Sequence, residues 1–505
     1  MTAEDKAPVD ENNSDKKEGE MPPTYDEASA LTSGEPSVKI TANETKIDIG
    51  KEKEEYQGLS KEELMKFAND PFWVRLRWIL FVLFWIIWVA MLVASIVIII
   101  YAPKCPSPEP KQWWQKNAMY KVDVEKFSDL KGVQAELDYL VGSGVGTLYI
   151  SSFTKPTPST GDGVLDYKTI DAAYGTLEDW KRLVEDLQMR DQKVVIDFIP
   201  NHASDRDVNL ADTNVIAELE DVMKFWIDTG VNGFVINDVQ HMVDRQSQLA
   251  GLIKTLRGVV DAETEESGVP CVLMADSLPS PGEADKYYGP DISQSNVGSL
   301  FHLPLYSGQV NNPATATELK NNIDDYTNSL PTNAWPSFAF SSTTNAELTD
   351  AMTMVKMLLP GTPMFMAGEE LGLTSWDSVV AEEQTKAEAS SHLEVFSILA
   401  GKLRHQESVL FGDMNNATFV TDTDVFGLTR VKKGNPGYLL LINFGTEEKF
   451  VDISAVEYVP SAIRLMVKSV GKVTEEEDGV KRFETDKVLI KPKEGRVFTF
   501  VPKFS

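Results

Sequence analysis

Apolar residues follow three patterns along this chain, and the first is an uncharged, uninterrupted run over residues 78–101, WILFVLFWIIWVAMLVASIVIIIY. A helix needs about 20 apolar residues to cross the ~30 Å hydrocarbon core of a bilayer, so this run is long enough. It is too long, and lies too far from the N-terminus, for a signal peptide. No later run approaches it. The pattern therefore predicts a single transmembrane helix.

The second pattern, over residues 113–375, alternates short β-rich apolar runs with amphipathic, helix-like stretches. Repeated strand–helix units predict a parallel α/β barrel. The third pattern begins near residue 408, where only strand-like runs follow, and it predicts a small antiparallel β-domain. The barrel runs are Thr147–Ile150, Val194–Ile199, Gly233–Ile236, Val272–Ala275, Phe338–Phe340 and Met364–Ala367, with helices at Lys131–Leu140, Leu177–Gln188 and Val215–Ile227. The β-domain runs are Thr418–Val420, Val425–Val431, Tyr438–Asn443, Lys487–Ile490 and Arg496–Phe500.

The segment before the membrane run divides into two parts. Residues 1–55 are rich in Glu, Asp, Lys, Ser and Pro, a composition that predicts a disordered tail. This tail contains Pro22, Pro23 and Tyr25 in a Pro-Pro-Thr-Tyr string, the kind of sequence that WW domains bind, although four residues are a weak signal. Residues 56–77 predict a juxtamembrane helix with Ser60 as its N-cap.

Charges and a glycosylation sequon indicate the orientation in the membrane. Arg75 and Arg77 precede the run, whereas Lys104 and Lys111 follow it, so the positive-inside bias for a cytoplasmic N-terminus is modest. Asn416 begins an Asn-Ala-Thr sequon that could carry a glycan only on the luminal side. The two observations together favour a single-pass plasma-membrane protein with its N-terminus inside and its C-terminus outside.

Composition excludes some classes of function. The 505 residues carry a formal net charge of −29 without a basic stripe, which argues against nucleic-acid binding. Only two cysteines occur, so the large C-terminal part does not depend on a disulfide framework. Cys271 lies in an apolar, strand-like run and is predicted to be a buried free thiol. Cys105 lies in a proline-rich, extended stalk over residues 102–112, which suggests an intermolecular bridge, with a free thiol as the alternative.

Several motifs in the barrel region occur in an order typical of one enzyme family. They are Leu137–Leu140, Tyr174–Asp179, Asp197–His202, Phe225–Phe234 and Pro360–Gly368. Together they resemble the α-amylase and oligo-glucosidase family of glycoside hydrolases over residues 113–445. The resemblance implies a (β/α)₈ TIM barrel, here at residues 113–407, followed by an antiparallel β-sandwich at residues 408–505.

The resemblance also implies a retaining glycosidase site, in which one carboxylate attacks the sugar and a second acts as acid and base. The family's nucleophile motif is Gly-Phe-Arg-x-Asp, whereas this chain has Val235 for the arginine and Asn237 for the nucleophile. Asp276 falls at the position of the acid, usually a glutamate. The family's His-Asp pair is missing from residues 341–344. Matching family residues are also present: Asp197, Asn201, His202 and His241. These departures predict a degenerate, catalytically inactive site that needs neither metal nor cofactor.

The stretches Gly58–Leu64, Trp73–Trp78 and Ala102–Cys105 resemble a second family, the heavy subunits of heterodimeric amino-acid transporters. Within this family, the subunit of kidney and gut keeps the domain that most amylase-family members insert after the third strand, whereas this chain has no room for it. The resemblance implies that Cys105 forms a disulfide with a multi-spanning light subunit, which this chain stabilises and brings to the plasma membrane. It also implies association with integrin β-subunits, and the anchor contacts membrane lipid.

Two other functions remain open on sequence grounds. An adhesion or ligand-binding receptor would reach the cell surface without any light subunit. A membrane-bound α-glucosidase is disfavoured by Asn237 and by the missing His-Asp pair.

Overall fold

The computed structural model describes residues 61–101, 109–151, 153–154, 167–198, 212–237, 239, 246–276, 303–306, 313–330, 334–339, 346–373, 387–419, 422–469 and 482–504. The predicted tail over residues 1–55, its Pro22, Pro23 and Tyr25, and the stalk thiol of Cys105 all lie outside these ranges. The chain divides into two compact units, Met1–Cys105 and Pro106–Ser505.

The first unit contains helices α1 (Lys61–Ala68) and α2 (Pro71–Tyr101). Proline suits the first position of a helix, and the Asp70 carboxylate accepts a hydrogen bond from the Phe72 backbone N–H at 3.0 Å. Helix α2 therefore starts before the apolar run and contains all of it. It is the one helix in the described part of the chain that is long and apolar enough to cross a membrane.

The second unit begins with a closed barrel of eight parallel strands, β1–β8 in chain order. Strand β1 closes the barrel because it pairs with both β2 and β8. The strands are β1 (Met119–Asp123), β2 (Thr147–Ser151), β3 (Lys193–Phe198), β4 (Gly233–Ile236), β5 (Val272–Ala275), β6 (Leu303–Tyr306), β7 (Ser337–Phe338) and β8 (Thr362–Met366). The α-helices of this unit are α3 (Trp113–Lys116), α4 (Leu130–Ala135), α5 (Leu137–Gly142), α6 (Leu177–Met189), α7 (Thr213–Asp228), α8 (Gln246–Ser267), α9 (Ala316–Ser329), α10 (Thr349–Leu358), α11 (Ala387–Ile398) and α12 (Glu407–Phe411).

Strands β2, β4, β5 and β8 are buried on both faces, which explains their nearly continuous apolar sequences. Outward residues such as Leu148, Ile196 and Phe234 pack against the surrounding helices. Helix α6 shows how local contacts fix the start of a helix and its packing against the barrel. Thr176 caps it by accepting from the Asp179 N–H, and Trp180 stacks on Phe153 with 4.8 Å between ring centroids. Strand β3 ends at Phe198 and α7 begins at Thr213, so the interval has no room for an inserted domain.

The C-terminal strands form two antiparallel sheets. The larger has the order β14-β13-β16-β11-β10-β9, and the smaller pairs β12 with β15. One face of the larger sheet packs on the smaller sheet, and its other face joins the core of the barrel helices. The predicted barrel followed by an antiparallel β-sandwich is therefore confirmed. The strands are β9 (Asp413–Phe419), β10 (Asp422–Val431), β11 (Gly437–Asn443), β12 (Lys449–Val451), β13 (Ala462–Lys468), β14 (Arg482–Glu484), β15 (Val488–Ile490) and β16 (Gly495–Phe500).

Candidate functional site

The interior of the barrel is apolar over most of its length. Side chains alternate between the two faces of a strand, so every second residue points inward. The inward residues pack as one buried cluster, formed by Trp114, Met119, Tyr149, Val195, Val235, Val272, Met274 and Met364. Polar side chains follow at the carboxyl ends of β3, β4 and β5.

Asp197, Asn237 and Asp276 lie at these three strand ends. Asp197 is the next inward residue of β3 after Val195. The Asn237 N–H donates to the Phe198 carbonyl and the Asp276 N–H donates to the Ile236 carbonyl, each at 3.0 Å. Ladder-like hydrogen bonding therefore continues just past β4 and β5. It places these three predicted site residues at the carboxyl end of the barrel.

Tyr149, which the sequence did not single out, links these residues. Its hydroxyl donates to Asp197 Oδ1, and the Asn237 side chain also hydrogen-bonds the phenol. Burial, with the nearby carboxylates of Asp197 and Asp276, raises the pKa of Tyr149 well above its usual 10. Tyr149 is therefore a neutral donor at physiological pH. Asp276 Oδ1 accepts from the Val239 N–H at 3.3 Å, which ties the loop after β4 to the end of β5.

The chemistry available to this cluster is limited. A retaining glycosidase places its two catalytic carboxyl groups about 5–5.5 Å apart, one of them as nucleophile. Position 237 holds a neutral amide, which cannot form a glycosyl ester. Val235 is buried in the apolar interior. The cluster can hydrogen-bond a polar ligand, but the described residues contain no group of three or more His, Cys, Asp and Glu side chains that could hold a metal ion.

Several predicted site residues lie outside the described ranges. They are Asn201 and His202 after β3, His241 after β4, and the stretch after β7 where the family has its His-Asp pair. Their sequence-based roles stay predictions.

A second polar centre lies at the opposite, amino-terminal end of the barrel, around the fully buried Arg404. Four hydrogen bonds hold its guanidinium in place, and in each of them it donates to a backbone carbonyl. These run to Gln115 at 2.6 Å, Lys116 at 3.2 Å, Met357 at 3.4 Å and Gly361 at 2.5 Å. Burial, with the nearby Arg430, lowers the pKa of Arg404 to about 9. Sequence reasoning missed Arg404 because its partners lie up to 289 positions away.

The remaining predicted residues lie apart from both centres. Cys271 is a buried free thiol, as predicted, and burial raises its pKa to about 12. Asn416 lies in β9 opposite Leu428 of β10. Its side-chain amide nitrogen is shielded from solvent and has no hydrogen-bond partner.

Two family models match the chain. One describes the N-terminus of solute carrier family 3 member 2 and matches residues 44–120. The other describes the catalytic domain of α-amylase and matches residues 116–209. The two matches meet where the stalk reaches the barrel.

Similar curated proteins are amino acid transporter heavy chains. The SLC3A2 heavy chain of Oryctolagus cuniculus is 28% identical over 433 residues, or 78% of each chain. That of Mus musculus is 25% identical over 92% of each chain. The SLC3A1 heavy chain of Homo sapiens is 23% identical over 63% of this chain and 62% of its own length. The resemblance to transporter heavy chains thus extends over most of this chain.

Solved structures with a similar fold are glycoside-active enzymes. Trehalulose synthase MutB from Pseudomonas mesoacidophila superposes with a TM-score of 0.59 at 15% identity, over 77% of this chain and all of that chain. Trehalose-6-phosphate hydrolase from Bacillus licheniformis gives a TM-score of 0.60 at 14% identity over the same shares. At this identity the likeness concerns the fold alone.

Proposed function

We propose that this chain, which resembles amino acid transporter heavy chains, is the ancillary heavy subunit of a heterodimeric amino-acid transporter. The observation that carries the proposal is the similarity to such heavy chains over up to 92% of the chain. The one helix of the described residues that could cross a membrane, together with a barrel whose sequence matches the α-amylase family model, supports it. One helix cannot build the site between repeats that secondary transporters use, so transport itself belongs to a partner.

The proposed partner is a multi-spanning light subunit, bonded through Cys105. A disulfide makes every other contact between the two chains intramolecular, so weak surfaces suffice at a high effective concentration. The heavy subunit would then stabilise the light subunit and bring it to the plasma membrane. In this arrangement the N-terminus is cytoplasmic, as the arginines before the span favour, and the barrel is extracellular.

Co-expression tests this function directly. A light subunit should reach the cell surface, and amino-acid uptake should rise, only in cells that also produce this chain. Purification of the chain from its native membranes should recover the same multi-spanning protein. Surface delivery of this chain without any light subunit, and no such protein in the purified material, would instead favour the adhesion or ligand-binding receptor.

Two further associations belong to the proposal. The tail motif of Pro22, Pro23 and Tyr25 would bind a WW-domain protein in the cytosol. The span and tail would contact an integrin β-subunit. Both rest on sequence and family resemblance.

We also propose that the barrel is catalytically inactive, and the prediction is that it releases no glucose. Purified protein should hydrolyse a chromogenic α-glucoside no faster than buffer does. The Asn237→Asp variant should show the same background rate of hydrolysis. Val235 stands where the family has an arginine, and Asp197 already accepts a hydrogen bond from the Tyr149 hydroxyl. If the wild type hydrolyses the substrate and Asp276→Asn abolishes this activity, the prediction is wrong and the α-glucosidase hypothesis is favoured.

Asn416 is predicted to carry a glycan if the barrel side faces the lumen. Digestion with an N-glycosidase should lower the apparent mass of the wild type but not of Asn416→Gln. Asn43→Gln, in the proposed cytoplasmic tail, is the matched control and should still shift. Because the Asn416 amide nitrogen is shielded in the folded chain, a glycan bonded to it requires the Asn416 side chain to turn outward from the arrangement seen in β9. An identical mass before and after digestion of the wild type would remove this support for the orientation.

A further inference from the structure

The amino-terminal end of the barrel is closed by α3. Trp114 belongs to the apolar cluster inside the barrel, and Trp113 packs against that cluster. Hydrogen bonds to the strand starts hold this segment in place: Trp113 Nε1 to the Pro270 carbonyl at 2.6 Å, Thr362 Oγ1 to the Trp114 carbonyl at 2.5 Å, and Asn117 Nδ2 to the Gly146 carbonyl at 3.1 Å. A small ligand of the barrel therefore has to bind at the carboxyl end.

Lys121 places a cation inside this carboxyl end. It is the next inward residue of β1 after Met119, and it pairs in register with Tyr149 of β2. Its ammonium lies 5.0 Å from the centroid of the Tyr149 ring. Lys121 forms no ion pair within the part of the chain that the structure describes. Its three N–H groups can therefore donate to an anionic group of a ligand.

Solvent reaches the layer of side chains that contains Lys121 and stops at the layer beneath. Asp197, Asn237 and Asp276 are half-buried, as Lys121 is. The interior residues beneath them are at most 2% exposed; these are Tyr149, Val195, Val235 and Met274. The carboxyl end is thus a shallow depression with polar walls and a closed floor, which we call the barrel mouth.

The barrel mouth contains both signs of charge, with negative charge in excess. Asp123, the next inward residue of β1, adds a third carboxylate to those of Asp197 and Asp276, against the one ammonium of Lys121. Asp276 Oδ1 accepts a hydrogen bond from the Val239 N–H at 3.3 Å. A carboxylate has about four lone-pair sites, so this one can accept from a further donor. The mouth therefore suits a ligand that carries an ammonium as well as a carboxylate.

The barrel mouth is apolar beside β7 and β8. Met366 of β8 pairs in register with Lys121, and Ala339, directly after β7, packs against the interior cluster. Both side chains are half-buried. A ligand in the mouth thus has an ammonium, carboxylates and an apolar surface to contact.

We infer that the barrel mouth binds a neutral α-amino acid with an apolar side chain. The ligand carboxylate pairs with Lys121, the ligand ammonium donates to Asp197 and Asp276, and the ligand side chain lies on Ala339 and Met366. A neutral sugar would leave the Lys121 charge without a partner, and an unpaired polar group in a site weakens binding strongly. An anionic ligand would be repelled by the excess of carboxylates. The proposed subunit role does not require such a site, which gives the barrel a ligand of its own.

Calorimetric titration of the full chain, purified in detergent without a light subunit, tests the class of ligand. L-leucine should bind. N-acetyl-leucine, which lacks the ammonium and is an anion, should bind at least about tenfold more weakly, because it loses charge-assisted hydrogen bonds. Glucose should give no binding heat. Absence of leucine binding, equal binding of leucine and N-acetyl-leucine, or tighter binding of glucose would each overturn the inference.

Substitution of Lys121 tests the site. Lys121→Met keeps an unbranched apolar stem but removes the charge, so it should weaken leucine binding at least about tenfold. It should leave the binding of leucinamide, which has no carboxylate, nearly unchanged, and Lys121→Arg should retain leucine binding. Lys126→Met is the matched control, because Lys126 is an exposed lysine in the short 3₁₀ turn directly after β1, and it should bind leucine as the wild type does.

Two results of this substitution would contradict the assigned site. Leucine binding that is unchanged in Lys121→Met, or an equal loss of leucine and leucinamide binding in a folded Lys121→Met, would remove Lys121 as the partner of the carboxylate. If Lys121→Met does not fold, the ligand series on the wild type still decides the inference. No light subunit is present in these experiments, so their failure leaves the proposed heterodimer untouched.

Discussion

Membranes containing this chain should give a high-mass band on a non-reducing gel, and replacing Cys105 by serine should abolish it. The band should collapse to the monomer mass when the wild-type sample is reduced. Cys105 is one of only two cysteines, so a covalent link to another chain has few possible origins. Non-covalent association should persist. The overall affinity of the two chains should fall by about 10²–10⁴-fold, because their remaining contacts are no longer intramolecular. The amount of co-purified light subunit after a dilute wash measures this loss.

Cys271→Ser is the matched control and should leave the band intact. The Cys271 side chain is only 3% exposed, and burial raises its pKa to about 12, three units above the usual 9. Each unit lowers the reactive thiolate about tenfold, so Cys271 cannot compete as a site of exchange at neutral pH. A band that survives in Cys105→Ser and disappears in Cys271→Ser would contradict the proposed linkage. A band at the monomer mass in every lane would favour the adhesion-receptor hypothesis over the heterodimer.

The barrel strands could be predicted where burial on both faces produced a continuous apolar run. Gly233–Ile236 and Val272–Ala275 match the observed β4 and β5. Strand β1 escaped notice because Lys121 and Asp123 interrupt its apolar pattern. Strand β6 contains Pro304, which argues against a strand on sequence grounds. Closure of the barrel makes both strands necessary, and that constraint comes from the whole sheet.

The boundaries of helices and edge strands were less predictable. The predicted helix over residues 131–140 is two short helices that meet at Glu136. Strands β12, β13 and β14 were missed because they are short or half exposed, with few buried positions to set a pattern. The central strands β10, β11 and β16, which form the core of the β-domain, were recognised.

The residues of the candidate site also differ in how well the sequence could predict them. Asp197, Asn237 and Asp276 could be placed together because each lies near the end of a parallel strand or directly follows one, and each belongs to a motif with fixed spacing. Tyr149 could have been found from strand parity, since it is the inward residue of β2. Arg404 could not, because its carbonyl partners come from three separate segments and carry no side-chain signature.

Arg404→Met should destabilise the second unit more than any surface substitution. The methionine would leave the carbonyls of Gln115, Lys116, Met357 and Gly361 buried without this donor. A buried polar group left unpaired costs about 1–3 kcal/mol, and four carbonyls lose this donor, so we expect a total loss of about 3 kcal/mol or more. Arg404→Lys should recover part of it, because an ammonium has three donors but cannot match the planar fork.

Thermal unfolding of the purified chain in detergent, followed by near-UV circular dichroism, measures the effect. A change of 1 kcal/mol moves the melting temperature by about 2–4 °C in a unit of 150–250 residues and by less in a larger one, so we expect a drop of roughly 5 °C or more. Arg182→Met is the matched control, because Arg182 is 57% exposed and its buried partner Asp179 keeps Lys131 and Thr176 as partners. Its melting temperature should fall by no more than about 2 °C, since an ion pair with an exposed cation contributes about 0–1 kcal/mol. If Arg404→Met and Arg182→Met have the same melting temperature, water must replace the guanidinium as the donor to these carbonyls. The joint between stalk and barrel would then be held by Trp113, Trp114 and Asn117 instead.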